Sequence, residues 1–172
     1  MATRADLATQ ADLATQADLA TQADLAVLVG LQASGKSTFY ARCLSDRYEL
    51  VGKDLFPRGA RNKQARQMRL VAEHLAAGRP VAVDNTNPSP QEWAPLVAAA
   101  RALGATVTAY WFPPDVPGSL RRNAAREGRA RVPDVGVLAT LERLRRPSVA
   151  DGFDAVYEVR FDGRGGFDVS RP

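Results

Sequence analysis

The sequence predicts an α/β fold, with a mainly parallel sheet covered by helices on both faces. Three observations predict it. From residue 25 onward, short apolar runs alternate with stretches of helical length. The runs at 25–29 (LAVLV) and 81–83 (VAV) show no polar alternation, as expected of strands buried on both faces. Polar or glycine-rich segments follow these runs, and ligands of parallel sheets bind at the carboxyl ends of strands.

The elements follow in order. Residues 25–29 read as the first strand, with a glycine-rich loop and then a helix over 36–45. A second strand is expected over 48–52. A helix over 61–77 carries Met68, Leu70, Val71 and Leu75 at mixed helical spacing, with Gly78 as its C-terminal cap. The third strand is 81–84. Ser89-Pro90-Gln91-Glu92 starts the next helix, with Ser89 as N-cap and Pro90 in the first position. That helix runs to Leu103 and stops at Gly104. A fourth strand over 105–112 ends at Pro113-Pro114. Helices over 117–128 and 134–145 follow, then strands over 154–161 and 166–170.

A chain of 172 residues suits one domain with its own core. Its single cysteine, Cys43, excludes an internal disulfide and a cysteine metal cluster. No apolar run reaches the length of a membrane span, and no signal-peptide pattern opens the chain, so a cytoplasmic protein without a membrane partner is expected. The net charge is +4, and the basic excess is clustered. Residues 53–69 hold Lys53, Arg58, Arg61, Lys63, Arg66 and Arg69 against Asp54 alone. Residues 121–131 hold five arginines against Glu127 alone. Such clusters suit a polyanionic partner, although 20 of the 23 basic residues are arginine, a bias that genome composition also produces.

Gly30-Leu-Gln-Ala-Ser-Gly35-Lys36-Ser37 fits G-x-x-x-x-G-K-[ST], between an apolar run and a helix. The glycines let backbone N–H groups converge on phosphate oxygens, and the helix adds its positive N-terminal end. Lys36 reaches the β- and γ-phosphates, and the Ser37 hydroxyl is placed to ligate Mg²⁺. The motif predicts a nucleoside triphosphate site and leaves the acceptor open.

Phosphoryl transfer to a hydroxyl calls for a carboxylate that accepts its proton. Asp54 follows the second strand and Asp84 ends the third. Either alone is also an ordinary cap or turn residue. Placed after strands downstream of a phosphate loop, Asp54 suits the hydroxyl, and Asp84 the metal or its water shell. Arg122, Arg126 and Arg129 fall at helical spacings of four and three, on one stripe. They read either as a triphosphate clamp or as a solvated basic face.

The stretches GLQASGKST, VGKDL, VAVDNTNPS and RRNAAREGRARVPD, in this order, resemble the kinase domain of phage, bacterial and animal polynucleotide 5′-hydroxyl kinases. RPSVADGFDAVYEVRF (146–161) is similar to that domain's closing segment. The resemblance spans 25–161. It implies a kinase-type P-loop NTPase, a three-layer α/β/α fold with a helical lid and a tunnel-like acceptor channel. ATP and Mg²⁺ are the implied cofactors, and DNA or RNA 5′ ends the implied substrate. Gly30, Ser34, Gly35, Lys36, Ser37 and Thr38 would surround the ATP phosphates, with Ser37 on Mg²⁺ and Asp84 joining through water. Asp54 would be the general base, and Arg122 and Arg126 would belong to the lid, Arg126 clamping the transferring phosphate. Lys53, Arg58, Asp84 and Asn85 would face the acceptor. Two positions depart from the family: Lys53 replaces an arginine before the Asp, and Pro57, followed by Arg58, replaces an arginine three positions after it.

Two other functions fit the same phosphate loop. One is a kinase of a small alcohol or nucleotide-sugar; the other is a non-catalytic nucleotide-binding module. Among residues outside these motifs, His74 and Cys43 read as structural, Cys43 as a small core residue, and Trp93 and Trp111 as core.

The chain begins with three copies of ADLATQ (5–10, 11–16, 17–22) and a fourth start, Ala23-Asp24-Leu25-Ala26. Six helical residues advance about 600°, so the repeated leucines form no single helical face. The fourth start, 23–26, leads straight into the first strand, so the domain is expected to start at 23, with 1–22 as an arm that is flexible or weakly helical.

Overall fold

The computed structural model describes residues 23–171. The hexad arm expected over 1–22 lies outside the described residues. The strands are β1 (Asp24–Val29), β2 (Glu49–Val51), β3 (Val81–Asp84), β4 (Thr106–Trp111), β5 (Ala155–Phe161) and β6 (Phe167–Ser170). They form one sheet in the order β2-β3-β1-β4-β5-β6. The first five run parallel, and β6 returns antiparallel along β5.

β1 explains the layering. It sits in the middle of the sheet, and all six of its residues are buried. Leu25, Val27 and Val29 enter one hydrophobic cluster, with Val71, Leu75, Trp93 and Leu96. Ala26 and Leu28 enter the other, with Phe39, Leu44 and Phe112. Alternate side chains of a strand point to opposite faces, so an unbroken apolar run requires cover on both. Each Leu or Val so buried contributes about 1.5–3 kcal/mol. The helices α2 (Lys63–Ala76) and α3 (Pro90–Ala102) cover the first face, and the helix after the phosphate loop covers the second. Trp93 and Trp111 are core residues, as expected.

Asp24 is also buried, and its carboxylate is satisfied locally. It accepts from the Thr106 hydroxyl at 2.8 Å and from the Tyr48 hydroxyl. Burial, reinforced by the bond to Asp24, pushes the Tyr48 phenol above its usual range, so it stays a donor.

Five expectations differ from the structure. The helix expected over 36–45 is α1 (Lys36–Phe39), which widens into a π turn, Tyr40–Leu44. Leu44 is the buried residue of that turn, so Cys43 is exposed and not in the core. The helix expected over 117–128 is α4 (Val116–Ala124), which stops four residues earlier. The following segment forms a 3₁₀ turn, Gly128–Ala130, before α5 (Asp134–Arg143). Asn123 accounts for this stop, because its amide pairs with Val132 and draws the chain back across the helix end. The Arg122–Arg126–Arg129 stripe is therefore split between helix, loop and turn. Finally, Ser89 takes the cap position of α3, but its hydroxyl donates to the Gln91 and Glu92 side chains and accepts no N–H.

Candidate functional site

The ends of β1 and β3, the start of α1 and the segment after α4 surround one cavity of about 570 Å³. Its floor is the phosphate loop. Gly35 has φ +100°, so the backbone calls for glycine there, and an added Cβ would also press on the tip of the Phe161 ring at 2.6 Å. Lys36 is only 7% exposed. Its ammonium donates to the carbonyls of Gly30 (3.0 Å) and Leu31 (2.5 Å) and more weakly to the Ser34 hydroxyl (3.3 Å). Burial pushes the Lys36 pKa down to about 8. Nearby Asp84 opposes that fall, Arg126 adds to it, and Asp54 opposes it.

Ser37 follows on α1. Its hydroxyl donates to the Asp84 carboxylate at 2.5 Å, joining the loop to the end of β3. A hydroxyl beside a carboxylate at a phosphate loop is an all-oxygen donor set, of the kind a hard cation takes together with water and phosphate. Among the described residues, no cluster of three or more His, Cys, Asp and Glu forms a metal cage. This pair therefore fits a cation that a bound polyphosphate completes.

A second wall of the cavity is formed by the ends of β2 and β3. After β2 the chain makes a 3₁₀ turn, Lys53–Leu55, that carries Asp54 into the cavity lining. Gly52 precedes it, and a Cβ there would lie 2.8 Å from the Asp84 carbonyl oxygen. Glycine therefore lets the ends of β2 and β3 close together. Asn85 lines the cavity too, but its side chain is engaged with neighbours: Oδ1 accepts from the Lys53 N–H at 2.9 Å, and Nδ2 donates to Gln67 at 2.7 Å.

The segment after α4 brings Arg126 and Arg129 to the cavity. Arg126 makes one long bond, from Nη1 to the Ala130 carbonyl at 3.4 Å. Arg129 donates to the Phe56 carbonyl at 3.2 Å, tying the segment after α4 to the one after β2. Arg122 has a different setting. Its Nε donates to the Ala33 carbonyl at 2.7 Å, its guanidinium lies 4.9 Å above the Phe161 ring, and Asp115 sits 3.5 Å away.

Of the residues singled out in the sequence, the cavity gathers Ser34, Gly35, Lys36, Ser37, Thr38, Asp54, Asp84, Asn85 and Arg126. Gly30, Lys53, Arg58 and Arg122 lie outside its lining. Sequence reasoning passed over Gln67 and Asn123, both buried polar residues with tertiary partners. Gln67 had a legible signal: it sits four residues before Val71 and eight before Leu75, a polar side chain on the buried stripe of α2.

Comparison with known proteins agrees with this architecture. A family model described as an AAA domain matches residues 25–147. A bifunctional polynucleotide phosphatase/kinase of Schizosaccharomyces pombe is 24% identical over 139 residues, covering 78% of this chain. The matched stretch is 33% of that relative's length, so this chain corresponds to about a third of it. Among solved structures, a fungal RNA kinase superposes with TM-score 0.61 at 16% identity, over 82% of this chain and 39% of that one. A gluconokinase from Sinorhizobium meliloti superposes with TM-score 0.55 at 20% identity, over 81% and 82%. At these identities the solved structures speak for the fold. With its phosphate loop at the end of the central strand and a family match over most of its length, the chain belongs to the AAA domain family, as a kinase-type P-loop protein of three-layer α/β/α fold.

Proposed function

We propose that this chain is an ATP-dependent polynucleotide 5′-hydroxyl kinase, moving the γ-phosphoryl of ATP to a 5′-OH of DNA or RNA. The observation that carries the reading is the unpaired basic stretch around Asp54. Beyond Asp54, the side chains of Lys53, Arg58, Arg61, Lys63 and Arg66 have no carboxylate partner among the described residues. Arg66 instead rests over the Phe56 ring at 4.8 Å. Basic side chains left unpaired in the stretch of chain that carries Asp54 suit an acceptor with phosphates next to its hydroxyl. The polynucleotide phosphatase/kinase similarity supports the same substrate class.

In this reading Lys36 and the loop N–H groups hold the β- and γ-phosphates. The Ser37 hydroxyl would hold Mg²⁺, with Asp84 joining through water, and the ion would supply charge neutralisation at the phosphates. Asp54 accepts the proton of the 5′-OH as its oxygen bonds to the γ-phosphorus. The bond from that phosphorus to the β–γ bridging oxygen breaks, and ADP leaves. Arg126 stabilises the charge on the transferring group. Catalysis is chiefly positioning plus electrostatics.

An acceptor panel with γ-labelled ATP tests the proposal. Label is expected on 5′-OH single-stranded, nicked or recessed DNA or on RNA, and none on oligonucleotides already 5′-phosphorylated. Label confined to gluconate, other free sugars or nucleotide-sugars would reject it in favour of a small-molecule kinase. Polynucleotide binding should also weaken with salt, by about 0.7 log units per tenfold salt for each single-strand phosphate contacted.

Lys36 adds a pH signature. With its pKa near 8, it is partly neutral at pH 8 before nucleotide binds. A triphosphate beside it favours the charged form and raises that value. Binding near pH 8 is therefore expected to take up protons, and affinity to fall as pH rises through 8. Calorimetry in two buffers of different ionisation enthalpy reads the uptake, and Lys36→Met should abolish it.

A further inference from the structure

Asp54 sits on a turn, not on a strand or a helix, so something else must fix its position. The turn's own bonds are long: the Leu55 N–H to the Gly52 carbonyl at 3.2 Å, and the Phe56 N–H to the Lys53 carbonyl at 3.3 Å. The shorter bond leaves the turn, running from the Lys53 N–H to Asn85 Oδ1 at 2.9 Å. Asn85 Nδ2 then donates to Gln67 Oε1 at 2.7 Å.

The direction of this relay is set by chemistry. A backbone N–H can only donate, so Asn85 must turn its oxygen toward Lys53. Its nitrogen then faces α2, and Gln67 must answer with an oxygen. Gln67 is 1% exposed and shares its buried stripe with Val71 and Leu75. A carboxamide at such a position costs folding free energy unless it is bonded, whereas Leu or Met would pack there without that cost. The partner that offsets the cost is the residue holding the Asp54 turn.

We propose that Gln67 is a positioning residue for Asp54: through Asn85 it holds the Lys53–Leu55 turn at the height where Asp54 meets the acceptor hydroxyl. The proposal rests on the reading of Asp54 as general base. Gln67 lies outside the cavity lining, and its effect passes from α2 across the end of β3 to the end of β2.

The test is a double-mutant cycle, run with whichever acceptor the wild-type protein phosphorylates. Gln67→Met keeps the length and removes the acceptor atom. It should lower kcat about tenfold or more, the scale of a small misplacement of a reacting group, with KM for ATP within about twofold. Gln67→Glu keeps an oxygen toward Asn85 and should retain most of the rate. In an Asp54→Ala background, Gln67→Met should lower the residual rate by less than about twofold, because the group it positions is gone.

An equal loss in both backgrounds, or a rise in KM for ATP that matches the fall in kcat, would overturn the proposal. So would a Gln67→Met enzyme with wild-type kcat. If Gln67→Met does not fold, Gln67→Asn breaks the same bond by one methylene and must show the same pattern. A failure of polynucleotide labelling leaves the cycle intact with another acceptor. A wild-type rate for Gln67→Met leaves the substrate reading intact.

Discussion

Asp54→Ala is expected to lower kcat by about 10²- to 10⁴-fold, the usual contribution of a general base, with KM for ATP unchanged within about twofold. The split follows from where Asp54 sits. It is carried by the turn after β2, across the cavity, whereas the phosphate loop is built from the end of β1 and the start of α1. Removing its carboxylate leaves the Lys36 and Ser37 bonds in place. A non-catalytic nucleotide-binding module predicts the same ATP affinity with no turnover to lose. Single-turnover kinetics on a labelled acceptor separate the two. If Asp54→Ala keeps turnover within about threefold, less than one kcal/mol of barrier, Asp54 is not the base.

Arg126 carries the second large effect. It lines the cavity and makes one bond, at 3.4 Å, so most of its guanidinium donors are uncommitted. Arg126→Ala should lower kcat by about 10³-fold, the lower range of an arginine that stabilises transferring phosphoryl charge. Arg126→Lys should recover little of this, because an ammonium lacks the planar fork. Arg122→Ala should behave differently. Arg122 is bonded to the Ala33 carbonyl and stacked on Phe161, outside the cavity lining, so its loss loosens the phosphate loop. The expected result is a raised KM for ATP with a smaller fall in kcat. Parallel steady-state measurements on both variants check the contrast, and equal kcat losses would contradict it.

Much of this layout is legible in the sequence because it rests on local patterns. The unbroken apolar run of β1 announces a strand buried on both faces, and the loop motif places Lys36 and Ser37 without knowledge of any distant residue. Asp54 and Asp84 are readable as polar residues where apolar runs stop. The misjudged features depend on tertiary contacts. The arginines at 122, 126 and 129 keep helical spacing, yet α4 ends where Asn123 pairs with Val132, nine residues along the chain. Cys43 faces solvent because α1 widens into a π turn, which rotates the face that periodicity assigns. Gln67 stands out only as a polar residue on an apolar stripe, and its partner is known once α2 packs beside the end of β3.

The buried carboxylate at the start of β1 has a consequence for how this chain tolerates change in length. Asp24 and Leu25 belong to the fourth hexad start, and the fold holds that copy by its Thr106 and Tyr48 bonds and by the core around Leu25. Every earlier copy ends by handing on to the same four residues, ADLA. Inserting or deleting whole hexads therefore leaves the residue before β1, its register with β3 and β4, and the distance to the phosphate loop unaltered. A change in length confined to residues before Ala23 alters none of these contacts, whether or not it is a multiple of six. What β1 requires is the identity of its own residues and not a number of copies ahead of them.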